Sequence, residues 1–328
     1  MKKRLPELDD LRGISIIVMI LIHTNVNFLS NKWAYNSREV SQFAVVAFLF
    51  CSSYLALLKP YPTVSELIPY IVKRLKRLLI PFLVFFTIYI LFSTVGLGKH
   101  FSQSYIMKSY ILTGGIDFNW MVLLFIQMML VTPFIQYLNE RSKIGLYIYT
   151  FIAILSSVIF LKDTPLPFYR SIMWLPWSLV IVYTLYFDRI WNNKMWFVWI
   201  TLLFGTIFII TQQCILLPLH HSFSMYNNKY PPNLYHISYS LFAVNIIYYL
   251  SKRKLFSSPL VQNTVGFFSA NSYQLFFIHI LVIDGVWKWI RPTNWILFFL
   301  LVTYISSIIQ IGMNKISLSF PRRRETGR

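Results

Sequence analysis

Arg12 and His23 sit eleven positions apart, separated by a run from Ile14 to Ile22 that is almost free of polar atoms. A guanidinium grips phosphate or carboxylate oxygens through parallel hydrogen bonds, and a neutral imidazole takes up and returns a proton near neutral pH. On a helix, eleven steps of about 100° bring both side chains back to within about 20° of one face, with about 16 Å of rise between them. Arg12 is then expected at a membrane surface and His23 deep in the bilayer, where an ionisable residue is costly and marks a functional site by default. Asp9 stands three residues before Arg12, the spacing of a partner that would orient the guanidinium. It equally suits a carboxylate placed at the positive end of a helix.

A second cationic group follows in Tyr70-Ile71-Val72-Lys73-Arg74-Leu75-Lys76-Arg77. Thr63 and Glu66 have capping-box spacing, so a helix is expected over 65–80, with Pro69 early and Pro81 kinking it. Arg74 and Arg77, three apart, share a face, and two such forks suit a phosphate or pyrophosphate. The plainer reading of Lys73, Arg74, Lys76 and Arg77 is cationic anchoring at the inner membrane boundary.

The elements that position these residues read as membrane helices. Of 328 residues, 56% are hydrophobic, 18% aromatic and only 12% charged, with a mean hydropathy of +0.57. That leaves too few polar side chains to cover a soluble globule. Windows able to cross about 30 Å of hydrocarbon fall near 13–29, 41–58, 78–97, 120–138, 144–161, 171–187, 195–216, 235–250, 270–287 and 295–313. The expectation is an all-α polytopic membrane protein with about ten transmembrane helices in a single embedded domain. The first span lacks a small-residue cleavage site and reads as a retained helix, not a signal peptide.

A net charge of +19 would point to nucleic acid in a soluble protein. Here, with both termini placed in the cytoplasm, most of the 30 Lys and Arg residues fall on the inner side. This is the positive-inside asymmetry, and no nucleic-acid partner is expected. The basic tail over 314–328, with Arg322 to Arg324, suits the anionic headgroups of the lipid bilayer. Cys51 and Cys214 both fall in apolar spans, so there is neither a disulfide framework nor a zinc spacing, and no metal site is expected.

Taken in chain order, these pieces resemble a known family. Glu7-Leu8-Asp9-Asp10-Leu11-Arg12-Gly13-Ile14 with the later His23, and Arg74-Leu75-Lys76-Arg77 before Pro81, are similar to the Arg-x10-His and Arg-x-x-Arg signatures of the acyltransferase 3 family. Its members are integral-membrane, acyl-CoA-dependent O-acyltransferases. Further similar pieces are Asn119-Trp120, leading a span that ends at Pro133, and Ser272-Tyr273 followed by His279. The resemblance runs from about residue 5 to about residue 285.

The resemblance implies an O-acetyltransferase of the bacterial inner membrane. It would move acetyl from cytoplasmic acetyl-CoA to a hydroxyl of a cell-surface or lipid-linked glycan. Arg12, Arg74, Arg77 and Lys73 would hold the phosphate end of the acyl-CoA donor, with His23 within reach of its pantetheine arm. His23 would act as general base on the acceptor hydroxyl or as a transient acyl carrier, and Arg12 and Asp9 complete the expected catalytic group. Many members add a C-terminal extracytoplasmic domain of the SGNH hydrolase type. None is expected here, so the embedded domain would finish the transfer alone or pass the acyl group to a separate protein.

Asn119, Trp120, Tyr230, Tyr235 and His279 are candidate acceptor contacts, with aromatic faces around Lys229-Tyr230-Pro231-Pro232 available to a sugar. The same aromatics suit a membrane interface belt, and His279 suits a polar contact between helices as well as catalysis. The alternative function is a transporter or flippase in which His23 and His279 relay protons and Arg74 and Arg77 hold an anionic lipid. Transporters of that kind usually repeat their helix pattern, and no convincing repeat is found. Nothing in the sequence speaks to oligomeric state.

Overall fold

The computed structural model describes residues 5–60, 63–162 and 168–319, and these form helices and connecting turns with no named strand. In chain order the helices are α1 (Pro6–Thr24), α2 (Lys32–Val40), α3 (Ala44–Leu57), α4 (Val64–Leu91) and α5 (Gln103–Tyr110). Then come α6 (Asn119–Arg141), α7 (Lys143–Ile159), α8 (Tyr169–Ile172), α9 (Trp174–Trp177) and α10 (Leu179–Asn192). The last five are α11 (Lys194–Thr211), α12 (Leu234–Lys252), α13 (Pro259–Ala270), α14 (Ser272–Trp289) and α15 (Trp295–Ser319). The Thr63–Glu66 capping box opens α4, with Glu66 Oε2 accepting from the Thr63 N–H at 3.1 Å. The helix runs on through both Pro69 and Pro81.

Seven helical segments are long and apolar enough to cross a membrane, or eight if the α13–α14 pair, bent by 86°, counts as one span. Fewer segments qualify than the ten expected, for identifiable reasons. The expected span at 144–161 falls on α7, which has only 17 residues. That at 235–250 falls on α12, whose interior face carries buried His236, Ser238, Ser240, Asn245 and Ser251. The expected span at 270–287 begins at the corner between α13 and α14, and α13 ahead of it was not expected. At that corner the Asn271 amide nitrogen donates to the Phe267 carbonyl at 2.8 Å, and its side-chain oxygen accepts from Gln310 and Asn314 of α15 at 3.2 and 3.1 Å, so side chains tie the corner to α15. The helix α15 continues to Ser319, and the basic run at 322–324 lies outside the described residues.

Burial sorts the helices. The α2–α3 span is 72% buried, whereas those of α11 and α15 are 17% and 22% buried and present side chains such as Trp199, Leu203 and Leu300 outward. An apolar surrounding gives no hydrophobic drive between helices, so close packing and polar contacts must hold them together. The interior helix α1 packs on α3, α12, α13, α14 and α15. Its crossing with α13 is very close: a Cβ on Gly13 would lie 2.3 Å from the Val265 carbonyl oxygen and 2.6 Å from its Cγ1. Its first turns are tied by carboxylates. Glu7 pairs with Lys252 at 2.8 Å, Asp10 accepts from the Ser251 hydroxyl, and Asp9 accepts from the Ser269 hydroxyl at 3.0 Å.

This packing makes the Gly13 position intolerant. Gly13→Ala is expected to destabilise the purified protein by about 1–3 kcal/mol through overpacking, read as a lower melting temperature in detergent. Gly312→Ala, where nothing lies within 4 Å of an added methyl, is the neutral control.

Candidate active site

His23 falls in the last turn of α1, and His279 projects from α14. The two imidazoles meet, with His23 Nδ1 2.7 Å from His279 Nε2, ring planes 8° apart and centroids separated by 5.0 Å. The second nitrogen of His279, Nδ1, lies 2.8 Å from the Leu275 carbonyl oxygen. A carbonyl only accepts, so Nδ1 of His279 carries the proton and its Nε2, in the neutral ring, is an acceptor. His23 therefore donates from Nδ1, and its own Nε2 keeps a free lone pair. His279 is fully buried while His23 is partly accessible, which puts the basic nitrogen on the ring that can be reached. A base held by an orienting partner is the arrangement that proton-transfer and nucleophilic sites require.

His23 lies in the candidate span from Pro6 to Phe28, toward its C-terminal part. Arg12 stays near the other end, about 16 Å of helix rise away. Asp9 accepts from the Ser269 hydroxyl of α13, a tie between helices. Arg12 forms no hydrogen bond or ion pair with another described residue.

The helix α4 places the other cations. Arg74 stacks on Tyr70, its Cζ 4.5 Å from the ring centroid, while Lys73 and Arg77 are exposed. Pro81 has no N–H to return to the Arg77 carbonyl, which loosens the helix locally. At the adjoining turn the Tyr273 hydroxyl donates to the Leu78 carbonyl at 2.5 Å. Tyr273 and His279 share α14, so this one helix grips α4 through the tyrosine and α1 through the histidine. It joins the arginine-bearing helix to the base.

A third group lies beyond the C-terminal end of α1. Arg38 of α2 is buried, stacked over Tyr226 at 4.3 Å and paired with Glu39 at 3.2 Å. The second Glu39 oxygen accepts from the Met225 N–H. Gln42 donates to the Arg38 carbonyl at 3.1 Å and accepts from Lys229 Nζ at 3.2 Å. Lys229 is 3% exposed, its ammonium 5.2 Å from the Trp120 ring centroid and 5.3 Å from that of Tyr230. Burial, helped by the Arg38 charge, pushes the Lys229 ammonium down to about 7. Both cations act electrostatically on His23.

The expected acceptor contacts thus divide. Trp120 and Tyr230 meet edge-to-face at 4.8 Å beside Lys229, and His279 joins His23. Asn119 is fully buried and spent on structure: it donates to the Ser109 and Gly114 carbonyls and accepts from Arg170 at 2.7 Å. Tyr235 is likewise committed, stacked on Phe208 and donating to the Phe223 carbonyl at 3.1 Å. Arg38 and Gln42 were missed in the sequence, although two polar residues one helical turn apart beside an apolar span were a usable signal.

A bundle of apolar helices with two bonded histidines inside it and Arg12, Arg74 and Arg77 toward one end defines an integral membrane protein. The chain belongs to the acyltransferase 3 family: the family model, described as an acyltransferase domain, matches residues 5–310, nearly the whole chain. It is a membrane acyltransferase. Among curated proteins and among solved structures nothing matches it.

The dyad geometry makes a specific demand on position 279. His279→Leu, which removes the acceptor for the His23 N–H, is expected to lower acyl transfer at least about tenfold. His279→Gln, whose side-chain oxygen can accept that proton, retains more activity. Initial rates at saturating donor and melting temperatures of both variants separate orientation of the base from a loss of folding.

Proposed function

We propose that the protein is an O-acetyltransferase of the bacterial inner membrane that moves acetyl from cytoplasmic acetyl-CoA to a hydroxyl of a cell-surface or lipid-linked glycan, with both termini in the cytoplasm. The observation that carries this reading is the open Nε2 of His23, fixed by its bond to His279. Arg12, without a hydrogen bond or ion pair among the described residues, suits the phosphate end of the donor, and the stacked Arg74 with exposed Arg77 and Lys73 suits it as well. The rise of about 16 Å from Arg12 to His23 is a length that an extended pantetheine arm covers.

In the direct route His23 Nε2 removes the proton of the acceptor hydroxyl as its oxygen attacks the thioester carbonyl. The carbon–sulfur bond breaks, and the proton held by His23 passes to the departing thiolate. Positive charge on His23 during this step is shared with His279 through the Nδ1–H bond. If His23 instead carries the acetyl group, the same lone pair attacks the thioester carbonyl and expels the thiolate; the acceptor hydroxyl then takes the acetyl from the ring, and its proton passes to the thiolate. Rapid quenching with labelled donor distinguishes the routes, since only the second leaves label on the protein.

His23→Ala is expected to lower transfer from radiolabelled acetyl-CoA by about 10²–10⁴-fold while membrane insertion is unchanged. Mass spectrometry of envelope glycans should show one acetyl group fewer in cells carrying the variant. Undiminished acetylation would refute the assignment, as would vectorial movement of a substrate without thioester consumption.

A further inference from the structure

Lys229 is a buried ammonium with no carboxylate in ion-pair contact among the described residues. Its one hydrogen bond goes to the neutral Gln42 amide, leaving two of its three donors unused against the faces of Trp120 and Tyr230. Arg38, one step away through Gln42, is paired on Nη1 but its Nε–H is buried with no partner. Leaving such donors unmet inside a protein is costly, and here two cationic side chains leave them in the same cluster. Aromatic rings stand around them, and His23 is within their electrostatic reach. Buried cations beside aromatic faces fit a sugar that bears a negative charge, with the rings covering its apolar face and the donors meeting its oxygens.

We infer that Lys229, assisted by Arg38, forms a subsite for an anionic group, carboxylate or phosphate, on the acceptor sugar. This rests on the acetyltransferase reading for its use, but not for its chemistry. The charged and titratable groups facing Lys229 are Arg38 and Glu39 near the end of α2, Asp117 ahead of α6, His236 of α12, His23 of α1, and Tyr230 beside it. Burial places loss of the Lys229 charge near pH 7, so anion binding is full below that pH and declines above it.

The test measures binding of radiolabelled glucuronate, glucose 1-phosphate and glucose to the full-length protein in lipid nanodiscs. At pH 6 at least one anionic sugar should bind about tenfold or more tightly than glucose, and which one does so identifies the anion. Lys229→Gln should remove that preference, with its melting temperature reporting whether the fold survives. For glucuronate, whose own carboxylate stays ionised, wild-type affinity should fall as pH rises from 6 to 8.5. Equal binding of all three sugars, an unchanged preference in Lys229→Gln, or a pH-independent glucuronate affinity would each overturn the subsite. Parallel assays with labelled acetyl-CoA keep the two ideas apart. Lys229-dependent anion binding without thioester consumption would refute acetyl transfer alone, and acetyl transfer without anion preference would refute the subsite alone.

Discussion

The bond between His23 and His279 is the interaction on which the rest depends. A lone imidazole between helices would have two tautomers and several orientations. Here the Leu275 carbonyl settles the proton on His279, His279 settles it on His23, and the remaining lone pair has one place to be. The chain of hydrogen bonds ends at an accepting backbone carbonyl that the helix itself holds rigid. The base is therefore oriented by α14 without any carboxylate, which suits an apolar interior where an unpaired charge would be expensive.

That bond requires α1 and α14 to hold their registers, and the means differ at the two ends of α1. At the N-terminal end, Glu7, Asp9 and Asp10 reach Lys252, Ser269 and Ser251, while Gly13 lets α13 approach to backbone contact. At the C-terminal end, Asn25 donates to the Ala34 carbonyl and to the Ser37 hydroxyl, folding α2 back beside the helix end. Because lipid offers these groups no competing partners, polar ties can set helix positions that apolar packing alone would leave sliding. The same α2 then supplies Arg38, so one folding feature both anchors α1 and brings a cation close to the base.

Much of this was legible in residues. The spacing of Arg12 and His23, the Arg74–Arg77 pair, and Ser272-Tyr273 ahead of His279 pointed to the family, and apolar windows pointed to the helices. Partners were not legible. Asp9 read as the orienting group for Arg12 because neighbours on one helix are visible in sequence, whereas Ser269 lies 260 residues away. Asn119 read as a ligand contact for a similar reason; only the folded chain brings Arg170, Ser109 and Gly114 around it. The helix α13 escaped notice because its twelve residues are too few for a spanning window, although the polar run Asn271-Ser272-Tyr273-Gln274 marks the corner that follows it.

The tautomer of His23 is the most direct test of the account, read by nitrogen-15 solid-state NMR of histidine-labelled protein in lipid bilayers, with His23→Gln used to assign the resonance among the six histidines. The account predicts a protonated Nδ1 and an unprotonated Nε2 at His23, with that balance lost in His279→Leu. A His23 ring protonated at Nε2, or one indifferent to substitution of His279, would contradict it.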